Sequence, residues 1–169
     1  MKPIKDYIVI DVETSSGASL QDIGTSAYVN HPSTEILCVS WILGDGTEAL
    51  LWEPSLPLDA LESAILKADR LVAHNIAFDR GILVKFFTGL AAINKRFDAV
   101  LAKLKDFSVW NCTMARCNTY RIPASLKAAA KYLKLKNQKM EFDLAGISYN
   151  RKPTKSNPVV RYTPHDHPA

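Results

Sequence analysis

The segment Tyr7–Val12, with the sequence YIVIDV, constrains the fold of this chain more than any other. It is largely apolar and β-branched and has the length of a strand. It therefore predicts a strand buried on both faces, in a parallel or central position of a sheet. Asp11 and Glu13 lie at its carboxyl end, and the ends of such strands are where the sites of α/β proteins gather. The segment thus predicts the central strand of a sheet, with a candidate functional site at the carboxyl end of that strand.

The size and composition of the chain fit one folded domain. Its 169 residues, of which 47% are hydrophobic, can bury a real core, which excludes wholesale disorder. No segment approaches the ~20 apolar residues of a membrane span, and the amino terminus lacks the layout of a signal peptide. We therefore expect a cytoplasmic, non-secreted protein with no membrane partner, in which Cys38, Cys112 and Cys117 are reduced packing residues.

Local patterns along the chain predict a mixture of strands and helices. After a polar loop at 15–24, further strands are predicted at Thr25–Asn30, Glu35–Leu43, Glu48–Trp52 and Arg70–Ala73. Helices are predicted at Leu58–Lys67, Ile76–Thr88 (ended by Gly89), Phe97–Phe107, Asn111–Tyr120 and Ala124–Leu135. Residues 151–169 hold four prolines and predict an extended tail. Strands followed by helices, with one βαβ-like passage, predict a single α/β domain with a mixed sheet flanked by helices.

Asp11 and Glu13 form the first candidate site. Residues two apart on a strand point to the same face, so the two carboxylates would repel each other unless a cation joined them. Oxygen ligands of this kind suit a hard ion such as Mg²⁺ or Mn²⁺. The alternative is an ordinary solvated strand end, and the spacing of the two acids leaves both interpretations open.

A second polar cluster follows the strand predicted at residues 70–73. Asn75 can cap the next helix, and Asp79 lies one turn further on, from where it could reach a metal held at the first strand end. The alternative makes Asn75 a simple cap and Asp79 a surface residue paired with Arg80 or Arg70. His74 is expected to pack and form hydrogen bonds rather than to bind a metal.

The charge of the chain is divided unevenly. Residues 1–94 carry 6 Lys and Arg against 12 Asp and Glu, whereas residues 95–169 carry 15 against 5. An acidic half joined to a basic half predicts an acidic site beside a path for a polyanion. The alternative is that solvated helix faces are simply rich in lysine.

These segments together match a known pattern. Residues 11–14 read Asp-Val-Glu-Thr, and residues 75–79 read Asn-Ile-Ala-Phe-Asp, a shifted form of an Asn-x-x-x-Phe-Asp motif. With the supporting segments 110–115 and 122–126, the chain resembles the 3′–5′ exonuclease domain of family A DNA polymerases of the phage type. That domain belongs to the DEDD exonuclease superfamily and has a ribonuclease H-like fold. The resemblance covers roughly residues 7–168.

The resemblance implies a proofreading-type 3′–5′ exonuclease that hydrolyses single-stranded DNA 3′ ends with two divalent ions, Mg²⁺ or Mn²⁺. It implies that Asp11, Glu13 and Asp79 are catalytic metal ligands, and that Thr14 and Asn75 contact the nucleic acid. It also implies a polymerase domain in the native gene. Exoribonucleases of the same superfamily would share the fold and the metal site, so an RNA substrate stays open.

A nucleic-acid groove in such a domain needs cations. Lys127, Lys131 and Lys134 are spaced i, i+4 and i+7 on the last predicted helix, and we expect them to contact phosphates. The alternative for each lysine is a solvated helix face.

The third motif of the family, Tyr-x-x-x-Asp on a helix, supplies a fourth carboxylate. Tyr162 and Asp166 have this spacing, but Pro164 between them argues against a helix. We therefore expect residues 1–169 to form an exonuclease-like domain that stops short of the third motif. Little or no nuclease activity is then expected, and a non-catalytic nucleic-acid-binding remnant is the alternative function.

Overall fold

A five-stranded mixed sheet organises the chain. The structure is a computed structural model that describes residues 6–44, 46 and 49–136. Its strands are β1 (Tyr7–Ser15), β2 (Glu35–Leu43), β3 (Ala49–Trp52), β4 (Arg70–Ala73) and β5 (Trp110–Cys112). The strand order is β3-β2-β1-β4-β5; β2 is antiparallel to β1 and β3, whereas β1, β4 and β5 are parallel. This α/β architecture is compatible with the ribonuclease H-like fold, which confirms the predicted fold class.

Six α-helices accompany the sheet within the described residues. They are α1 (Leu20–Asn30), α2 (Asp59–Lys67), α3 (Ile76–Ile93), α4 (Asp98–Lys105), α5 (Thr113–Thr119) and α6 (Leu126–Tyr132). Short 3₁₀ turns at Lys95–Phe97 and Phe107–Val109 flank α4. None of the helices in the described part of the chain has the length and apolar character needed to span a bilayer.

The burial of β1 alternates along the strand. Ile8, Ile10 and Val12 are buried in a core shared with α2, α3 and α4, whereas Val9 is 38% exposed. The prediction of burial on both faces is wrong for the described residues, because the core helices cover only the face that carries the even-numbered residues. The central position of β1, between β2 and β4, explains its apolar sequence. The alternation leaves Val9, Asp11 and Glu13 exposed on the other face of β1.

The predicted strand Thr25–Asn30 is instead the second part of helix α1. Because α1 begins at Leu20, the loop predicted at 15–24 is also partly helical. Gly24 kinks this helix with a φ of 74°, a left-handed conformation that suits glycine. Val29 is buried against Gly81 of α3, where an added Cβ would lie 3.2 Å from a Val29 methyl. This packing on α3 overrides the strand preference of the β-branched and aromatic residues.

Two other element boundaries differ from prediction. Helix α3 continues past Gly89 to Ile93, because Phe87 and Ala91 bury one side of its last turns. The segment predicted to be helical from Asn111 begins with strand β5, which pairs in parallel with β4. A three-residue strand is too short to display a period of two, so the pattern could not reveal it.

Several predictions are confirmed to the residue or nearly so. The bounds of β2 and β4 are those predicted, and α2 starts one residue later than predicted. Cys38, Cys112 and Cys117 are all free. The predicted tail at 151–169, with Tyr162 and Asp166, lies outside the described residues.

Candidate functional site

The two acids of β1 lie on its open face. Asp11 and Glu13 are both exposed and stand opposite Ser40 and Cys38 of β2. Residues directly opposite on paired antiparallel strands share a face, so the acids, the hydroxyl and the thiol occupy one patch. The alternation of β1 therefore presents two carboxylates to solvent at the carboxyl half of the central strand.

Asp79 reaches the same strand from the first turn of α3. It is 3% exposed, and its Oδ1 accepts a hydrogen bond from the Val12 N–H at 3.2 Å. Because β1 and β4 are parallel, α3, which follows β4, begins at the carboxyl end of β1. The carboxylate of Asp79 thus lies against the main chain between Asp11 and Glu13, although Asp79 and Val12 are 67 positions apart in the sequence.

The alternative interpretation of Asp79 as a surface residue paired with Arg80 is wrong. The Arg80 guanidinium donates to the Lys105 carbonyl at 2.8 Å and lies 3.5 Å from the centre of the Phe107 ring. Arg80 is thus directed towards the segment after α4, whereas Asp79 is directed into the sheet. Consecutive side chains on a helix point about 100° apart, so the side chains of Asp79 and Arg80 point in different directions.

The environment of Asp79 disfavours its charged form. Burial, and then the negative charge of Asp11, raise the pKa of Asp79 to about 7, while main-chain hydrogen bonds at Val12, Asn75 and Asp79 itself oppose the shift. The influence of Asp11 means that the two carboxyl groups lie close enough to interact. A cation at this position would relieve their repulsion and favour the ionised form of Asp79.

The Cys38 thiol lies in the same negative electrostatic field as Asp79. Burial raises the pKa of the Cys38 thiol, and Glu13, Asp11 and Glu53 raise it further. Glu53 follows β3 in a register that continues from the pairing of Val39 with Trp52. Sequence reasoning did not single out Glu53, although its position directly after a predicted strand could have indicated it.

The donors at this site are of one chemical kind. Asp11, Glu13 and Asp79 offer only carboxylate oxygens, the ligands that Mg²⁺ and Mn²⁺ prefer. Across residues 6–44, 46 and 49–136, no three His, Cys, Asp or Glu side chains are grouped closely enough to form a metal site as they stand. The donor chemistry and the repulsion between Asp11 and Asp79 fit a hard cation, whereas a closed coordination shell is not preassembled among the described residues.

Thr14 and Asn75 were predicted to contact nucleic acid. The Thr14 hydroxyl lies 3.0 Å from the hydroxyl of Tyr28, a buried residue whose ring packs against Phe78 of α3. Asn75 occupies the N-cap position of α3, but its side chain makes no capping hydrogen bond. Its carbonyl accepts from the main-chain N–H of Asp79. The anchoring of Thr14 by Tyr28 was not foreseen.

His74 is a hydrogen-bonding residue, as expected. Its Nδ1 lies 2.9 Å from the Thr113 hydroxyl, and its Nε2 lies 2.8 Å from the Ala124 carbonyl. The His74 carbonyl also accepts from the Met114 N–H at 3.0 Å. His74 therefore fixes the start of α5 and the approach to α6 at the end of β4, one residue before Asn75.

The predicted lysine stripe is shorter than expected. Lys127 and Lys131 are exposed on α6, but the helix ends at Tyr132. Lys134 lies beyond the end with a φ of 52°, so it does not continue the helical stripe. Its side chain is exposed in the same part of the chain as the other two.

Fold and site together define a class: an α/β protein compatible with the ribonuclease H-like fold, with acids gathered at the carboxyl half of its central strand. The chain is 30% identical over 154 residues to a DNA polymerase of Bacillus phage SP02. The match covers 88% of this chain and 22% of the polymerase, so the chain spans about a fifth of that relative. No protein-family model and no solved structure matches the chain. The predicted relation to a DNA polymerase is confirmed at this coarse level.

Proposed function

We propose that this chain is a metal-dependent 3′–5′ exonuclease unit acting on single-stranded DNA ends, working beside a polymerase domain in the native gene. The observation that carries the proposal is the hydrogen bond from the Val12 N–H to the buried Asp79 carboxylate. It brings a third acid to the strand end that already bears Asp11 and Glu13. The similarity to part of a phage DNA polymerase supports the same function.

Each acid would have a distinct part in this activity. Asp11, Glu13 and Asp79 would hold divalent cations, which would activate a water molecule and stabilise the leaving oxygen of the terminal phosphodiester. Asp79 is held by the β1 main chain, so its oxygen is fixed before any ligand arrives. Asp11 and Glu13 are exposed, so a strand end can approach them from solvent.

The test is digestion of a 5′-labelled single-stranded DNA oligonucleotide with Mg²⁺ or Mn²⁺. We expect slow stepwise shortening, and we expect it to fall at least about 100-fold further in Asp11→Asn and Asp79→Asn, since each removes a ligand charge worth several kcal/mol. Asp98→Asn, an exposed acid beyond the far end of α3, is the matched control and should keep full activity. Shortening that survives both site substitutions would overturn the proposal.

The nucleic-acid class is tested with a matched RNA oligomer. Faster shortening of RNA than of DNA would favour an exoribonuclease, because a 2′-hydroxyl is what such a site can sense.

A second candidate function is nucleic-acid binding without hydrolysis. It is favoured by the finding that the described residues contain no preassembled group of three metal-binding side chains. Salt-sensitive binding of the same oligonucleotide, with no shortening under either metal, would support this candidate over the exonuclease.

A further inference from the structure

The part of the chain that His74 anchors has an unusual surface. We call residues 113–136 the α5–α6 arm. The arm contains no Asp or Glu and six exposed cations: Arg116, Arg121, Lys127, Lys131, Lys134 and Lys136. Both of its aromatic rings are also exposed, Tyr120 by 69% and Tyr132 by 61%. Positive charge without a single acid, interleaved with open rings, is a surface complementary to a polyanion that also carries flat apolar groups.

The arm is fixed beside the candidate acidic site. His74, whose ring holds Thr113 and Ala124, lies at the end of β4 and five residues before Asp79. The pairing of Val9 with Val72 sets this end of β4 level with the acids of β1. The start of the arm, which follows β5, therefore lies at the same edge of the sheet as the carboxylates.

Both helices of the arm end in the same way. The Ile122 N–H donates to the Cys117 carbonyl at 2.8 Å, and the Leu135 N–H donates to the Ala130 carbonyl at 3.0 Å. These are the closing bonds of Schellman motifs, whose left-handed residue is most often glycine. Here that residue is a cation in each case, Arg121 with φ 58° and Lys134 with φ 52°.

The two cations have one structural explanation and one functional explanation. A positive charge is favoured at a helix carboxyl end by the helix dipole, but that preference does not require the left-handed position itself. Each cation also stands within two residues of an exposed tyrosine, Tyr120 or Tyr132. A charge and a ring within two residues of each other at each helix end suit the phosphate and the base of one nucleotide.

We infer that the α5–α6 arm binds a single-stranded nucleic acid, with Tyr120 and Tyr132 stacking on unpaired bases while the cations contact phosphates. The inference rests on the proposed function for the direction in which the strand runs, towards Asp11 and Asp79. It commits to a single strand because only unpaired bases offer their faces to exposed rings. An acidic polypeptide would use the cations but not the rings.

The first test measures binding of a fluorescent oligothymidylate to the full chain in EDTA. We expect Tyr120→Ala and Tyr132→Ala each to weaken binding by about 5-fold or more, and Tyr→Phe at either position to retain it. Phe107→Ala is the matched control, since Phe107 is an exposed ring outside the arm that contacts Arg80. Unfolding curves of all variants separate lost binding from lost folding. Unchanged binding in both folded alanine variants would overturn the inference.

The second test measures the salt dependence of binding. Replacing Lys127 and Lys131 by Gln should reduce the slope of log K against log salt by about 1.4, at about 0.7 per phosphate contact for a single strand. Lys95→Gln, at the far end of α3, should leave the slope unchanged. Polyglutamate that displaces the oligonucleotide as well as unlabelled DNA does, charge for charge, would favour an acidic protein partner and contradict the inference.

These tests separate the arm from the exonuclease. Binding in EDTA needs no hydrolysis, so tyrosine-dependent binding without any cleavage supports the arm and contradicts the proposed function. Cleavage that depends on Asp11 but not on either tyrosine supports the proposed function and contradicts the arm.

Discussion

The acidic strand end and the α5–α6 arm differ in how they hold their charge. At the strand end a carboxylate is buried and fixed by the main chain, so one residue, Asp79, carries a large energetic effect. On the arm the charges are exposed and numerous, so each contributes little and salt weakens it. His74 joins the two regions. The uneven charge of the sequence thus becomes two adjacent surfaces of opposite sign, one suited to a cation and the other to a nucleic-acid strand.

The largest effect expected is on the free energy of unfolding through Asp79. Below pH ~4 the carboxyl is protonated in both folded and unfolded chains, and it contributes no difference. As the pH rises towards 7, the unfolded chain ionises while the folded chain keeps its proton, so stability falls. The penalty is complete above pH 7 and reaches roughly 4 kcal/mol, because the pKa rises from 3.8 to about 7 at about 1.4 kcal/mol per unit.

Chemical denaturation of wild type and Asp79→Asn between pH 4 and 8 measures this penalty. The variant keeps an oxygen for the Val12 N–H, but its amide does not ionise. It should therefore be increasingly more stable than wild type as the pH rises. Asp98→Asn serves as the exposed control. Parallel stability curves for wild type and Asp79→Asn would contradict the claim that the buried Asp79 carboxyl lowers stability as the pH rises.

The next effect concerns the residue that joins the two regions. His74→Ala removes two side-chain hydrogen bonds and should lower the free energy of unfolding by about 2 kcal/mol. It should also weaken binding of single-stranded DNA, although His74 does not belong to the arm. His74→Gln, which can restore one donor, should lose less of both. Full binding in a folded His74→Ala variant would show that the regions act independently.

A smaller effect is expected from divalent cations. At pH 8, about 10 mM Mg²⁺ with a Kd near 1 mM would stabilise the chain by about 1.4 kcal/mol, because the cation binds the folded acids. At pH 6 the gain should be smaller, since Asp79 must first lose its proton. Thermal melts of wild type and Asp11→Asn check this. An equal gain in the variant would place any bound ion elsewhere.

The smallest effect concerns the two left-handed cations of the arm. Arg121→Gly and Lys134→Gly relieve a left-handed residue, and the loss of a helix-end charge offsets part of the gain, so each should raise stability by only about 0.5 kcal/mol. The same variants should bind single-stranded DNA about twofold more weakly, since each lacks one cation. Stability and affinity therefore move in opposite directions. Melts and titrations that move together would assign these cations a purely structural role.

Sequence patterns predicted those parts of the fold that local chemistry decides. Strands β2 and β4 follow from their apolar runs, and the meeting of Asp79 with the β1 acids was anticipated from a strand end and a helix start. Helix α1 was missed because its form depends on Val29 packing against α3. The links from His74 could not be foreseen, since they join positions 39 and 50 residues apart. Lys134 left the predicted stripe because the end of α6 is set by a left-handed turn.

The central claim is that Asp11 and Asp79 share one site. Carbon-13 NMR titration of the Asp79 carboxyl, in wild type and in Asp11→Asn, tests it most directly. We predict a pKa of about 7 in wild type, a lower value once the Asp11 charge is removed, and a lower value again when Mg²⁺ is added to wild type. An Asp79 carboxyl with the ordinary pKa of an aspartate, indifferent to both changes, would contradict the account.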